Sequence, residues 1–359
     1  MNLVMEVQAN PSSVHGAGRN ARRIIERARK SISAVIGGRS EDLVFTSGGT
    51  EANSLAINGA LSKIANGVLL YSDLEHPAVR DIALSGAYPV QRINVTGKGQ
   101  LDLEHLTAVL ASLSTDQTPF LTLMLANNET GVIQPVAEAA RLVRDYDGLT
   151  HTDGVQAIGK IPVNVGLLGV DYLSMSAHKC GGPQGVGALW LRAGAPLLPQ
   201  LIGGGQERSL RSGTENLIGI AGFEAALCAA VLAEEHQKTE TIRNAFEVEL
   251  DDPNIVVFGQ EASRLPGTCC LALEGFKGET QVMAMDLAGF SVSSGSACSS
   301  GKVKSSAVLA AMGVEDSLRS CALRVSFGYN SDVRDAVALA AAWKKAAHRV
   351  QPNMFREFA

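Results

Sequence analysis

Three side chains in this sequence have the type and setting for covalent chemistry. Cys298 lies in Ser293-Ser294-Gly295-Ser296-Ala297-Cys298-Ser299-Ser300-Gly301, a run of small residues with no bulky apolar neighbour. A nucleophilic thiol needs solvent access and surroundings that favour the thiolate, whereas a structural one sits among large apolar side chains. Lys179 follows an apolar strand-like run at 170–175 through Ser176-Ala177-His178, and a glycine-rich segment, 181–187, comes after it. A lysine at the mouth of a buried strand can lose its proton by desolvation and attack a carbonyl. On position alone it reads as an ordinary solvated lysine. Asp153 closes Leu149-Thr150-His151-Thr152, 26 residues ahead of Lys179, a separation typical of adjacent parallel strands joined by a crossover. Taken singly, this aspartate is equally a helix cap.

The elements needed to hold these groups are legible. Residues 21–36 carry apolar side chains at helical spacing, stopped by Gly37-Gly38. A short apolar strand at 43–45 then runs through Thr46-Ser47-Gly48-Gly49-Thr50-Glu51 into a helix reaching residue 64. Strand, glycine turn and helix make a phosphate-binding arrangement, because backbone N–H groups and the helix dipole both point at the turn. The alternation continues with strands at 68–71, 90–95, 120–125, 172–175 and 186–191, and helices after Pro77, Leu103 and Pro135. Such alternation predicts a mostly parallel sheet covered on both faces. From about residue 251 the pattern changes to short strands at 255–258, 268–273 and 323–327 with helices between, which predicts a smaller α+β domain. We place a large domain over 1–235 and a small one over 236–359, the latter carrying Cys298 and Arg324.

Composition narrows the ligand class. With 31 Lys and Arg against 36 Asp and Glu the net charge is −5, and no long basic run occurs, so nucleic acid and anionic membrane are disfavoured partners. No apolar run approaches the roughly 18 residues that span a bilayer, and residues 1–20 lack the pattern of a secretory signal. The six cysteines show neither CxxC pairs nor zinc spacing, so no metal site is expected and a reducing, cytoplasmic setting is. A Schiff-base lysine, an acid for the pyridine nitrogen and donors for a phosphate are what pyridoxal 5'-phosphate requires. Lys179, Asp153, and Ser176, His178 and the Gly49-Thr50 turn supply them.

With these parts assembled, the chain resembles the NifS/IscS-like cysteine desulfurases, pyridoxal-phosphate enzymes of the class V aminotransferase family with fold type I. The resemblance rests on TSGGTEAN (46–53), Glu75-His76-Pro77, ANNETG (126–131), HTDGVQAIG (151–159), SAHK (176–179), GGGQERSLRSGTEN (203–216), the Cys298 segment and RVSFG (324–328). It implies that Lys179 carries the cofactor and moves protons, that His76 stacks on the ring and assists proton transfer, and that Gln156 binds its phenolic oxygen. Thr50, Ser176 and His178 would hold the phosphate, joined by Thr214 from a neighbouring subunit in a homodimer. Arg324, helped by Asn128, would take the substrate carboxylate. The implied reaction converts L-cysteine to L-alanine, with the sulfur held as a persulfide on Cys298 for a protein acceptor such as an iron–sulfur scaffold. A selenocysteine lyase would share the cofactor site, and a transaminating relative would not need Cys298. Residues 1–8 do not match the family's usual opening, reading like Asp-Asn-Asn-Ala-Thr-Thr, which fits either a shortened form or a catalytically weakened homologue retained as a scaffold; Cys180-Gly181 in place of a common Phe-His removes bulk near the cofactor.

Overall fold

In the computed structural model, residues 9–232, 235–295 and 305–352 are described. The chain forms two compact units: Met1–Ile93, Asp102–Leu125 and Gln134–Ala233 in one, Asn94–Leu101, Ala126–Ile133 and Glu234–Ala359 in the other. Two segments inside the range assigned above to the large domain therefore belong with the second unit. Backbone pairing is the reason: Val132 bridges to Arg264, and Gly131 O accepts from Leu265 N–H.

The first unit begins with helix α1 (Gly16–Val35), whose Ala21, Ile25, Ala28 and Ile32 are buried along one stripe. It starts earlier than its apolar periodicity indicates because the His15 ring caps it, accepting from Gly18 N–H at 3.2 Å. Strand β1 (Leu43–Thr46) leads into α2 (Gly49–Leu61), then β2 (Gly67–Tyr71), α3 (Pro77–Leu84), β3 (Val90–Arg92), α4 (Leu103–Ser112) and β4 (Thr118–Thr122). After α5 (Val136–Arg144), β5 (Leu149–Asp153), the one-turn α6 (Val165–Leu168), β6 (Tyr172–Ser176) and β7 (Gly187–Leu191), helix α7 (Leu217–Leu232) completes the unit. The strand expected at 90–95 stops at Arg92, since Asn94–Leu101 leaves for the second unit.

The seven strands lie in the order β3-β2-β4-β5-β6-β7-β1. β2 through β6 are parallel, and β7 alone runs against them, pairing antiparallel with both β6 and β1. This is the mostly parallel seven-stranded sheet of the expected fold. Its strands are buried over almost their whole length except β3, at the sheet edge. α2 packs across β6 and β7, with Ala52, Ala56, Ile57 and Ala60 fully buried.

The second unit is built on a four-stranded antiparallel sheet in the order β10-β11-β9-β8: Ser293–Ser294, Ala322–Ser326, Thr268–Leu273 and Ile255–Val257. Its core joins Leu271, Leu323 and Val325 of this sheet to Ile242 and Phe246 of α8 (Glu235–Glu249) and Met285 of α9 (Gly278–Leu287). α10 (Ala307–Ala311) and α11 (Asp316–Arg319) follow, and α12 (Val333–Val350) adds the buried Leu339 and Trp343 to that core.

Candidate active site

In a parallel sheet the carboxyl ends of the strands share one edge, and that edge is where side chains of different strands can converge on a ligand. Asp153, the last residue of β5, is in register with Ser174 on β6, so Ser176 sits at the same edge. Ser176 is opposite Gly187 on β7, and Gly187 is opposite Thr46 on β1. The β1–α2 turn is thereby drawn to the mouth of β6. Glycine is required there: a Cβ on Gly187 would lie 2.7 Å from the backbone of Gly48, and one on Gly49 would lie 2.6 Å from Val155 Cγ2. The N-cap Gly48 offers no side chain to cap the start of α2, a 13-residue helix whose first-turn N–H groups lie beside Thr50.

Asp153 is 6% exposed. Its Oδ1 accepts from Val155 N–H at 2.9 Å and its Oδ2 from the Asn53 amide at 2.7 Å. Burial raises its proton affinity; those two donors and the nearby His76 and Lys179 oppose the rise. His76 caps α3, its Nδ1 accepting from Ala78 N–H at 3.1 Å, and its Nε2 has no hydrogen bond among the described residues. Burial lowers the pKa of this imidazole, with Asp153 pulling the other way and Lys179 reinforcing the drop. Asp153 and His76 thus each feel the charge of the other and of Lys179. Thr50 and His76 also line one open cleft of about 670 Å³.

Lys179 closes a 3-10 turn, Ala177–Lys179, directly after β6. Its side chain is exposed, not buried in the mouth of the strand. The physical reason is position: the turn carries the chain off the sheet edge before residue 179 is reached. The two phosphate candidates that precede it are linked, Ser176 Oγ lying 2.9 Å from His178 Nδ1. Gln156, one turn beyond Asp153, accepts from Lys160 Nζ at 3.0 Å. Thr214 is exposed and lines a different cleft of its own chain, with Ser47, Gly185 and Arg211.

In the second unit Arg324 donates from Nη1 to Asn128 O at 2.7 Å and from Nη2 to Ser293 Oγ at 3.3 Å. It is thus the backbone of Asn128 that meets this arginine. Arg324 Nε is buried with no partner among the described residues. Ser293 pairs with Arg324 in the β10–β11 ladder, so the segment leading to Cys298 leaves from beside it. Cys298 itself lies outside the described residues. The other five cysteines are free thiols; Cys180 Sγ donates to Ala177 O, and burial pushes its thiol up to about 11. That is the behaviour of a packing residue.

A family model described as aminotransferase class-V matches residues 1–339. The chain belongs to the class-V aminotransferase family. Among its relatives, the cysteine desulfurase IscS of Dictyoglomus turgidum is 39% identical over 343 residues, covering 93% of this chain and 86% of the relative. The cysteine desulfurase NifS of Azotobacter vinelandii is 39% identical over 316 residues, 85% of this chain and 77% of that one. Among solved structures, a NifS-like protein from Rickettsia africae ESF-5 superposes with a TM-score of 0.87 at 32% identity, covering 96% of this chain and 94% of its own.

Class-V aminotransferase enzymes use pyridoxal phosphate, and the residues present fit it. The uncapped α2 N-terminus with its glycine cradle, Thr50, Ser176 and His178 offers donors to a phosphate, and Asp153 offers a buried, twice-bonded carboxylate to a ring nitrogen. Three functional candidates escaped the sequence reading. Asn53 was inside a quoted motif but had no role until its amide was seen on Asp153. Glu75 is buried with one oxygen on Met124 N–H at 2.7 Å and the other without a partner among the described residues. His151 bridges Thr122 Oγ1 at 2.8 Å and Ser174 Oγ at 2.9 Å, behind the same edge. Each depends on a partner across the sheet that no local spacing encodes.

Proposed function

We propose that this chain is a pyridoxal-phosphate-dependent cysteine desulfurase that converts L-cysteine to L-alanine and passes the sulfur to a protein acceptor for iron–sulfur assembly. The observation that carries the reading is the convergence of Asp153, His76 and Lys179 with the open N-terminus of α2, in a chain similar to cysteine desulfurases over most of its length. Bound at this edge, pyridoxal phosphate supplies an electron sink for the bond to the substrate's α-hydrogen.

Each residue then has a definite task. Lys179, at the exposed mouth of β6, would hold the cofactor through its amine and would serve as the base for the substrate's α-proton. Asp153 would be the partner of the pyridine nitrogen, and Asn53 fixes that carboxylate. His76, whose pKa burial lowers, would lie against the ring. Gln156 is the donor for the phenolic oxygen, and Arg324 is the clamp for the substrate carboxylate. Cys298 supplies the thiolate that takes the substrate's sulfur: a new S–S bond forms, the substrate's C–S bond breaks, and the persulfide waits for its acceptor. A cytoplasmic homodimer suits the five free thiols and gives the exposed Thr214 a phosphate to reach on its partner.

The test is incubation of the full chain, loaded with pyridoxal phosphate, with L-cysteine and a reductant. Alanine and sulfide should appear in equal amounts, and Cys298→Ser should abolish sulfide while retaining the cofactor's visible absorbance. A loaded protein that yields neither product overturns the reading; sulfide undiminished in Cys298→Ser overturns the role of the thiol.

A further inference from the structure

Glu75 is a carboxyl group that the reaction above does not use, buried to 1% exposure next to a residue that it does. Its Oε1 accepts one hydrogen bond, from Met124 N–H at 2.7 Å where the chain leaves β4. Its Oε2 is buried and has no partner among the described residues. A carboxylate oxygen in that position would be an unsolvated negative charge, the costliest polar group to bury. Asp153 differs in every respect that matters. It has two donors, one on each oxygen, and two groups of cationic type, His76 and Lys179, close enough to favour its charge. The two acids also feel each other: Asp153 is the charged neighbour that acts on Glu75 among the described residues. His76 is next in the chain, and Met124 N–H is the donor against its Oε1. Two carboxyl groups in one low-dielectric region do not both ionise at the same pH; the better-solvated one keeps the charge.

We propose that Glu75 is a positioning residue, a carboxylic acid kept protonated beside the ring site so that negative charge there is confined to Asp153. The proposal rests on the assignment of Asp153 as the partner of the pyridine nitrogen. A second negative charge beside Asp153 would drive that carboxylate to take up a proton itself, and only an ionised Asp153 can hold a proton on the ring. In support, burial pushes Glu75 up to about 8, against the single hydrogen bond that lowers it.

The experiment is infrared difference spectroscopy of the full chain, with and without bound pyridoxal phosphate, comparing parent and Glu75→Gln. The amide keeps an acceptor for Met124 N–H but cannot ionise. A protonated-carboxyl C=O band present in the parent near neutral pH should be missing from Glu75→Gln, and in the parent it should fade as pH rises through about 8. Asp153→Asn should move that midpoint downward, because a like charge has been removed. With cofactor bound, the ratio of kcat/KM at pH 9 to that at pH 7 should rise about tenfold in Glu75→Gln relative to the parent. No band lost on substitution, or a midpoint unmoved by Asp153→Asn, overturns the proposal. If Glu75→Gln does not fold, carbon-13 titration of glutamate-labelled parent and Asp153→Asn reads the same midpoint. Should Asp153→Asn keep both the rate and the cofactor's spectrum, the Asp153 assignment fails, and the band still reports Glu75 independently.

Discussion

Arg324 shows how one guanidinium can be held and still have donors to offer. Two of its nitrogens are spent on Asn128 O and Ser293 Oγ, which fixes the plane of the fork, while its buried Nε has no partner among the described residues. A buried donor left open costs stability and is retained where a ligand completes it. A carboxylate accepts two parallel bonds from such a fork, and hydrogen bonds to charged groups contribute about 1.5–3 kcal/mol each. Arg324→Gln should therefore raise KM for L-cysteine roughly 10- to 100-fold. Lysine, a point charge without the fork, should not restore it. Steady-state kinetics with L-cysteine check both; an unchanged KM in Arg324→Gln would remove the clamp. At this scale the sequence was informative about residues with local company. Asp153 and Lys179 were readable because strand spacing places them, whereas Asn53 and Glu75 were not, because their partners lie 100 and 49 residues away.

Among the elements, the turn Gln206–Ser209 is the one whose conformation the sequence hides. Glu207, Arg208 and Ser209 have φ of 46°, 58° and 62°, three successive left-handed residues without a glycine among them. Each costs about 1–2 kcal/mol relative to right-handed backbone, so something must hold the turn in place. The holder is Glu207. Its carboxylate accepts from Arg29 Nη1 and Nη2 at 2.7 Å each and from Phe45 N–H at 2.7 Å, and both side chains of the ion pair are almost completely buried. Arg29 in turn donates to Leu43 O and lies 4.8 Å from the centre of the Phe45 ring. The turn is thereby pinned to α1 and β1, and Arg211 just beyond it reaches Glu51 on α2 at 2.7 Å. Glu51 also accepts from Ser47 N–H, so this chain of contacts ends on the proposed phosphate turn. Removing one partner of a buried pair leaves the other charge uncompensated: Glu207→Ala should cost about 3–5 kcal/mol in denaturant unfolding. Ser209→Gly, which suits a positive φ, should instead stabilise by about 1 kcal/mol. Equal stability of Glu207→Ala and the parent would show that the pair does not anchor the turn. The strands and helices were legible because their periodicities are local. This turn was not, since Arg29 stands 178 residues from Glu207 and a Glu-Arg-Ser run carries no left-handed signature.

For the whole molecule, two buried groups at the active edge set opposite flanks of the stability–pH curve. His151 is fully buried between Thr122 and Ser174, and burial pushes its pKa down from 6.5 to about 3. The unfolded chain protonates this ring below about 6.5 and the folded one does not until about 3, so acid favours unfolding across that interval. Glu75 works in the other direction. Its pKa rises from 4.5 to about 8 on folding, so the unfolded chain releases the proton first and stability declines as pH rises between those values. Where the two intervals overlap, between about 4.5 and 6.5, the opposing slopes offset each other, and the cofactor-free protein should show its broadest stability there. Below that range the slope belongs to His151, and above it to Glu75. Thermal melts of the cofactor-free full chain at intervals from acid to alkaline pH should therefore show Tm falling on both sides of a plateau. His151→Gln should flatten the acid flank and leave the decline starting from about 4.5, whereas Glu75→Gln should flatten the alkaline flank and leave stability rising up to about 6.5. An alkaline decline as steep in Glu75→Gln as in the parent would assign that flank to other groups, and with it would go the claim that this carboxyl folds with its proton on.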